Sequence, residues 1–279
     1  MKDRVLFGET AAISSPMDTL YSALCLTENG KPYRGALKKL QGCSKPKKLP
    51  IAGLAIHPYN KDAVGNVFTR SHTLDSMTMA YTSRATRVLK AAEKYKRIPK
   101  GRGIYVTEFG FQTKPPDRKG LSLVNQAKSI NEADRLFFGD PRVKSVAQFE
   151  LFDAPEPATE DVYNTGLRTV KGRAKPSLAA YRMPLVVTRL AGNKVEVWGQ
   201  VRPARGRTTP VVSVAKTSKG PFKRASAPRT NASGYFRISF KRRGAAALHY
   251  RTTWRNPAGL TFTSRTATAG RVIRYREKP

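Results

Sequence analysis

The chain has 279 residues, of which 39% are hydrophobic and 25% are charged. This composition is typical of globular proteins and excludes a disordered or fibrous chain, and the length suffices for one large domain or two ordinary ones. The sequence contains no apolar run of about 18 residues, so no membrane-spanning helix is expected. The N-terminal MKDRVLFGET lacks the pattern of a signal peptide, although a start codon chosen at an internal Met would also remove such a segment.

Positive charge is concentrated in the last third of the chain. The formal net charge is +33, and the region from Leu185 to the end holds 21 Lys and Arg residues against 2 Asp and Glu. Such a surface attracts polyanions: nucleic acid, acidic polysaccharide or anionic lipid head groups. A generally basic surface, from an Arg-favouring genome or adaptation to acidic surroundings, is the alternative. No zinc-finger or RRM pattern accompanies the charge, so sequence-specific nucleic-acid recognition is not expected.

Short apolar runs alternate with amphipathic patterns along the first part of the chain. The apolar runs predict strands over 4–10, 51–56, 104–106 and 143–149. The patterns between and after them predict helices over 15–26, 73–95, 122–140 and 175–183. Ser14 and Ser15 before Pro16 fit an N-cap with proline at the first helical position.

Alternation of buried strands and helices predicts an α/β fold with a parallel sheet covered by helices. Polar and aromatic side chains gather at the carboxyl ends of the strands, where a (β/α)8 barrel places its active site; they are Glu9, His57 with Tyr59, Glu108, and Gln148 with Asp153. A doubly wound sheet is the alternative and binds ligands at the same edge, but no Gly-rich phosphate loop follows any of these strands.

Two strand ends carry a resemblance to a known family. AIHPY (55–59) and YVTEFG (105–110) resemble strands six and seven of clan A glycoside hydrolases, and more narrowly those of actinobacterial secreted members with an added C-terminal β-domain. VLFGET (5–10) is similar to strand five and AQFELFD (147–153) to strand eight. The resemblance covers residues 1–183 and implies the C-terminal half of a (β/α)8 TIM barrel, strands five to eight.

The resemblance implies a retaining hydrolysis of O-glycosyl bonds with Glu108 as the nucleophile. A retaining enzyme needs two carboxyl groups about 5–5.5 Å apart, one attacking the anomeric carbon and the other protonating the leaving oxygen. His57 and Tyr59 would line the sugar subsite, with the Tyr59 hydroxyl bonding the nucleophile. Gln148, Phe149 and Asp153 would line it from strand eight, where the clan usually carries a Trp.

The second carboxylate is the weak point of this assignment. In the clan the acid/base Glu follows an Asn at the end of strand four, and no Asn-Glu motif precedes the first strand here. Glu9 is a weak acid/base candidate, because only one helix separates it from the strand of His57. We therefore expect either a fragment of a longer glycosidase that lacks its acid/base, or a half-barrel that pairs with another chain.

The two cysteines, Cys25 and Cys43, flank a polar loop. A zinc site needs about four ligands at close spacing, so we expect a disulfide, which would indicate an oxidising compartment; two unrelated buried thiols are the alternative. The histidines His57, His72 and His249 are scattered, and no metal or cofactor is expected. We expect an extracellular or cell-wall-associated protein.

Residues 185–279 predict a separate basic β-domain of immunoglobulin or fibronectin type. Six short β-rich segments are bounded by turn signals that include Gly244. Val195 with Val197, and Phe236 with Ile238, alternate so that one face points inward. We expect Trp198 and Trp254 in the core rather than as sugar platforms.

Two functions follow from these patterns. The first is glycoside hydrolysis acting on a polysaccharide or glycoside. The alternative is a non-catalytic module that binds a carbohydrate or a polyanion of the cell wall through the basic domain.

Overall fold

The computed structural model describes residues 5–11, 15–71, 73–155, 163–241 and 247–275. They form two compact units. The first holds the described residues up to Gln112 with Leu136–Glu150 and 274–275, and the second holds Thr113–Arg135 with the described part of Leu151–Ile273. Some residues used in the sequence predictions lie outside the described ranges, namely Arg4, Ser14, His72 and Gly244.

The elements up to residue 183 are, in chain order, β1 (Leu6–Ala11), α1 (Pro16–Ala23), α2 (Gly35–Leu40), β2 (Gly53–His57), α3 (Ser83–Lys94), β3 (Gly103–Phe109), β4 (Thr113–Lys114), β5 (Leu121–Ser122), α4 (Leu123–Phe138), β6 (Val143–Gln148) and α5 (Pro176–Arg182). The elements that follow are β7 (Leu185–Leu190), β8 (Lys194–Gln200), β9 (Val211–Ala215), β10 (Lys223–Ser226), β11 (Tyr235–Lys241), β12 (His249–Arg255), β13 (Thr261–Thr263) and β14 (Ala267–Thr268).

A four-stranded parallel sheet is the centre of the first unit. Its strands lie side by side in the order β1-β2-β3-β6, so that strands consecutive along the chain within this sheet are also neighbours in space. Leu54, Ile56, Ile104 and Val106 are almost fully buried, as expected for parallel strands covered on both faces. The predicted α/β character with a parallel sheet is confirmed, and this sheet has no reversal of strand order such as a doubly wound sheet shows.

Helices of the first unit follow from local signals. Helix α1 begins at Pro16, after Ser15, as its proline predicts. Helix α3 buries Ala85, Val88, Leu89 and Ala92, which have the spacing of one helical face.

The helix predicted over 73–95 is wrong at its beginning. Helix α3 begins only at Ser83, after a short 3-10 turn over Met79–Tyr81. The buried Arg84 guanidinium donates to the carbonyl oxygens of Thr73 and Ser76, which would otherwise accept helical bonds. A side chain from the first turn of the helix therefore holds the preceding segment in a loop.

Short elements were missed because they bury little apolar surface. Helix α2 lies in the loop between the cysteines and has no buried residue, so no apolar pattern could reveal it. The edge strand β10 has none either. The β-rich stretch over 260–268 forms two short strands, β13 and β14, and Ser264 between them exchanges hydrogen bonds with Thr252.

Two antiparallel sheets dominate the second unit. One has the order β11-β8-β7, and the other has the order β10-β9-β12-β13 with β14 also paired to β12. Residues from both sheets form one apolar cluster, which contains Leu185, Val187, Val195, Val197, Val212, Phe236, Tyr250 and Ala267. The predicted inward alternation of Val195 with Val197 and of Phe236 with Ile238 is confirmed.

Candidate functional site

Glu108 is the centre of a polar cluster at the carboxyl end of the parallel sheet. It lies near the end of β3, and its Oε2 atom accepts a hydrogen bond from the Tyr59 hydroxyl at 3.1 Å. The Nδ1 atom of His57 lies 3.6 Å from the same oxygen. His57 ends β2, the neighbouring strand, so adjacent parallel strands deliver these groups to one edge. The structure thus brings together three residues that the sequence predicted for the site.

Glu9 reaches the same cluster through an irregularity of β1. The register between β1 and β2 shifts between Gly8 and Thr10, so Glu9 is the extra residue of a β-bulge. Gly8 has φ +118° and Glu9 has φ 57°. A side chain at Gly8 would place its Cβ only 2.5 Å from the carbonyl oxygen of Ala55, so a glycine is required where the bulge turns.

Glu9 and Glu108 are joined by one imidazole. The Nε2 atom of His57 lies 2.5 Å from Glu9 Oε2, and its Nδ1 atom faces Glu108. The hydroxyl of Thr107 donates to Glu9 Oε2 at 3.1 Å. The His57 side chain is 16% exposed, against 51% for Glu9 and 33% for Glu108. Both carboxylates therefore meet solvent while the histidine between them is held.

Phe149 and Gln148 border this cluster at the end of β6. The backbone N–H of Phe149 donates to the carbonyl of Phe109 at 2.8 Å, which ties the end of β6 to β3. The Phe149 ring meets the Tyr59 ring edge-on, with 6.5 Å between centroids. The Gln148 side-chain amide donates to the Phe149 carbonyl. The phenylalanine therefore supports the ring that bears the Tyr59 hydroxyl.

Asp153 is placed in the second unit, where it pairs with Lys175. Its Oδ1 atom lies 2.6 Å from Lys175 Nζ, and the two side chains are 6% and 1% exposed. Lys175 also donates to the Thr113 hydroxyl at 2.9 Å. Burial lowers the pKa of Lys175, and the neighbouring Asp153 offsets this only in part.

Cys25 and Cys43 form a disulfide with 5.5 Å between their Cα atoms. It closes a loop of sequence separation 18. A disulfide of this kind stabilises a fold chiefly by restricting the unfolded chain.

Sequence reasoning missed two residues in these contacts. Thr107, which holds Glu9, stood inside the Thr-Glu-Phe-Gly motif, but its partner lies 98 positions away along the chain. Lys175 was assigned only to a helix, because a lysine directly before Pro176 at a helix start carries no local sign of burial. Both tryptophans are buried in the second unit, as predicted.

Within the described residues, no group of three or more His, Cys, Asp or Glu side chains could hold a metal ion. No helix of the described chain has the length and apolar character needed to cross a membrane.

No protein-family model and no curated protein matches the chain. Among solved structures, a family 39 glycoside hydrolase from Bacteroides cellulosilyticus WH2 is similar, with 15% identity and a TM-score of 0.36 over 68% of this chain and 43% of that chain. A Bacteroides uniformis beta-glucuronidase matches with 12% identity and a TM-score of 0.33, over 85% of this chain and 27% of that chain. The chain thus spans less than half the length of either protein, and TM-scores of this size do not establish a common fold.

Proposed function

We propose that this chain carries part of the active site of a retaining glycoside hydrolase, with Glu108 as the nucleophile. The observation that supports the proposal best is the environment of Glu108. One carboxylate oxygen faces Tyr59 and His57 at the carboxyl end of a parallel strand, while the side chain stays one-third exposed. A barrel enzyme positions its reacting groups at this edge of the sheet.

The sheet supports the assignment to strands five to eight of a (β/α)8 barrel of the clan A kind. Four parallel strands follow one another in space as they do in sequence, which is the order that a singly wound barrel requires. Four strands cannot close an eight-stranded barrel, so we propose that the remaining strands come from a longer protein or a second chain. The apolar cluster shared by two antiparallel sheets supports an immunoglobulin-like sandwich over 185–279.

The two oxygens of Glu108 have different surroundings. Oε2 is held by Tyr59 and faces His57, whereas Oε1 has no hydrogen-bond partner among the described residues. Holding one oxygen orients the carboxylate and leaves the other to attack the anomeric carbon. The bond to the leaving oxygen breaks as the ester to Glu108 forms, and water later cleaves this ester with retention of configuration.

We propose that Glu9 positions His57 and is not the acid/base. Its Oε2 atom is held by the His57 imidazole and the Thr107 hydroxyl, and its strand is similar to strand five, whereas the acid/base of the clan follows strand four. The acid/base would then come from the part of the barrel that precedes β1 in the family. Phe149 and Gln148 would contact the sugar from the end of β6.

A carbohydrate is the substrate class that this mechanism implies, in an extracellular or cell-wall setting. The Cys25–Cys43 disulfide supports this location, because disulfides persist in oxidising compartments.

A non-catalytic binding module is the second candidate. The contacts of Glu9 favour it, because the His57 imidazole and the Thr107 hydroxyl both hold its Oε2 atom, so Glu9 serves to position its neighbours rather than to protonate a leaving group. In this case the cluster and the basic domain would hold a glycan or polyanion without turnover.

Activated aryl glycosides separate the two candidates. A 2,4-dinitrophenyl group leaves without protonation, so formation of the ester to Glu108 does not depend on the acid/base, and added azide can complete the turnover. We expect release of dinitrophenolate from at least one glycoside of a panel covering both anomers. Glu108→Gln is expected to lower the rate by at least about 100-fold, whereas Glu28→Gln, an exposed control, leaves it unchanged. Equal rates for the wild-type chain and Glu108→Gln would favour the binding module.

A further inference from the structure

One face of the larger antiparallel sheet in the second unit combines arginine with hydroxyl side chains. In β12, Tyr250, Thr252 and Trp254 are buried. Side chains alternate between the two faces of a strand, so His249, Arg251, Thr253 and Arg255 lie on the opposite face. Ser213 of β9, which is paired with Arg251, lies on that face as well.

On this face, one arginine of β10 and one of β12 lie on either side of a serine of β9. Arg224 of β10 pairs with Ser213 of β9, which in turn pairs with Arg251 of β12. We call Arg224, Ser213 and Arg251 the arginine row. Adjacent strands lie about 4.8 Å apart, so the Cα atoms of the two arginines are about 10 Å apart, a distance that two arginine side chains are long enough to span. The guanidinium carbon of Arg251 lies 4.1 Å from the centroid of the Phe222 ring, which holds this side chain in place.

The arginine row has no acidic partner among the described residues. Glu196 is the only acidic residue between positions 185 and 275, and its oxygens face Arg135 and Arg237. Arg255, four positions along the same strand, donates to the carbonyl of Gly259 and has no carboxylate partner among the described residues. Like charges on neighbouring strands repel each other, so an anion placed between them would be attracted by each of them.

We propose that this sheet face binds an acidic polysaccharide through its carboxylate groups. The planar guanidinium matches a carboxylate with two parallel hydrogen bonds. Ser213, Thr253 and Thr263 are positioned on the same face to bond sugar hydroxyl groups. Single-stranded nucleic acid fits less well, because it requires open aromatic rings for base stacking, and the Phe222 ring beside the row is covered by Arg251.

The proposal is independent of the chemistry at Glu108, and the test keeps the two apart. Binding of polygalacturonate to the full chain is measured by isothermal titration, with fully methyl-esterified polygalacturonate as a probe of the same sugar without charge. The test variant is Arg224→Gln/Arg251→Gln. The matched control is Lys194→Gln/Lys241→Gln, a cross-strand pair of exposed lysines on the other sheet. Both double variants lower the net charge by the same amount.

We expect the arginine variant to weaken polygalacturonate binding by at least about tenfold, while the lysine control changes it by less than about threefold. The methyl ester should bind far more weakly than the acid. Equal losses in the two double variants would overturn the proposal, because they would indicate a response to net charge alone. Equal binding of the methyl ester would exclude carboxylate recognition.

Binding of oligo-dT as tight as that of polygalacturonate, with the same loss in the arginine variant, would also overturn the proposal. The methyl-ester and oligo-dT comparisons use only the wild-type chain and do not depend on the folding of any variant.

Discussion

At the scale of single residues, the site is a group of polar contacts around the Glu108 carboxylate. Tyr59 contributes the clearest of them, because its hydroxyl donates to Glu108 Oε2 while its ring packs against Phe149. The ring is almost fully buried. Its packing and its hydroxyl can therefore be separated by a substitution that removes only one oxygen.

Tyr59→Phe is expected to keep the fold and to impair the reaction of Glu108. The ring still fills its place, so the midpoint of thermal unfolding should change by only a few degrees. Without the donated bond, the carboxylate is less well oriented, and dinitrophenolate release should slow by about tenfold. An unchanged rate would mean that the Tyr59 hydroxyl has no part in positioning the nucleophile.

The buried ion pair of the second unit leads to a prediction about stability. Lys175→Met would leave the Asp153 carboxylate buried without its cation, and we expect the free energy of unfolding in urea to fall by about 3–5 kcal/mol. Lys128→Met is the control, because this lysine is 56% exposed in its pair with Glu132 and should contribute less than about 1 kcal/mol. If the two substitutions lowered the free energy of unfolding equally, burial of the Asp153–Lys175 pair would not determine its contribution to stability.

At the scale of elements, helix α3 is anchored at its end by one carboxylate. Glu93 accepts hydrogen bonds from the backbone N–H groups of Gly101 and Arg102, just before β3. Arg142, just before β6, places both terminal nitrogens on the same carboxylate at 3.0 Å. Burial alone would raise the pKa of Glu93, but Arg142 and the two backbone donors outweigh it and hold the pKa below its usual value.

A lowered pKa in the folded state makes the contribution of Glu93 dependent on pH. Its stabilisation is fully present above the ordinary Glu value of 4.5 and is lost as the pH falls through the lower folded-state value. Glu93→Gln should therefore cost about 1–2 kcal/mol of unfolding free energy at pH 7 and flatten the loss of stability in acid. Urea titrations at pH 7 and pH 3 check this, with Glu28→Gln as the control. The same acid dependence in wild type and variant would refute the assignment.

The elements also show which features local sequence patterns predict and which features depend on contacts made only in the folded chain. The strands of the parallel sheet were predicted to within a few residues, and the two central strands, β2 and β3, are the largely buried ones that read as near-continuous apolar runs. The first turns predicted for α3 were wrong, because the Arg84 guanidinium donates hydrogen bonds to carbonyl groups of the preceding segment. These hydrogen bonds depend on a folded loop and leave no periodic signal in the sequence.

At the scale of the whole molecule, the candidate site was predictable as a list of residues but not as a set of contacts. Strand ends gave Glu9, His57, Tyr59 and Glu108. That His57 lies between two carboxylates depends on the bulge at Glu9 and its positive φ, which alternation along a strand does not predict. The pairing of Asp153 with Lys175 likewise depends on positions 22 residues apart that only the folded chain brings together.

The net charge is also a property of the whole chain, but the binding surface that we propose is formed by a few arginines on one sheet. Most cations of the last third have no carboxylate near them in sequence, and only the register of three strands places Arg224 and Arg251 around one serine. Composition therefore predicted attraction to anions, and the strand pairing supplied the surface on which we propose that an acidic glycan binds.

Trapping of the covalent intermediate tests the central proposal most directly. In a 2,4-dinitrophenyl 2-deoxy-2-fluoroglycoside, the fluorine slows both the formation of the glycosyl ester and its hydrolysis. The dinitrophenolate leaving group makes ester formation fast again, so a retaining enzyme accumulates the ester on its nucleophile. A panel covering common sugars and both anomers is incubated with the chain, followed by intact mass measurement and peptide mapping. We predict the mass of one fluoroglycosyl group on Glu108 and none in Glu108→Gln. An adduct on another carboxylate, such as Glu9, or no adduct with any member of the panel, would contradict the account.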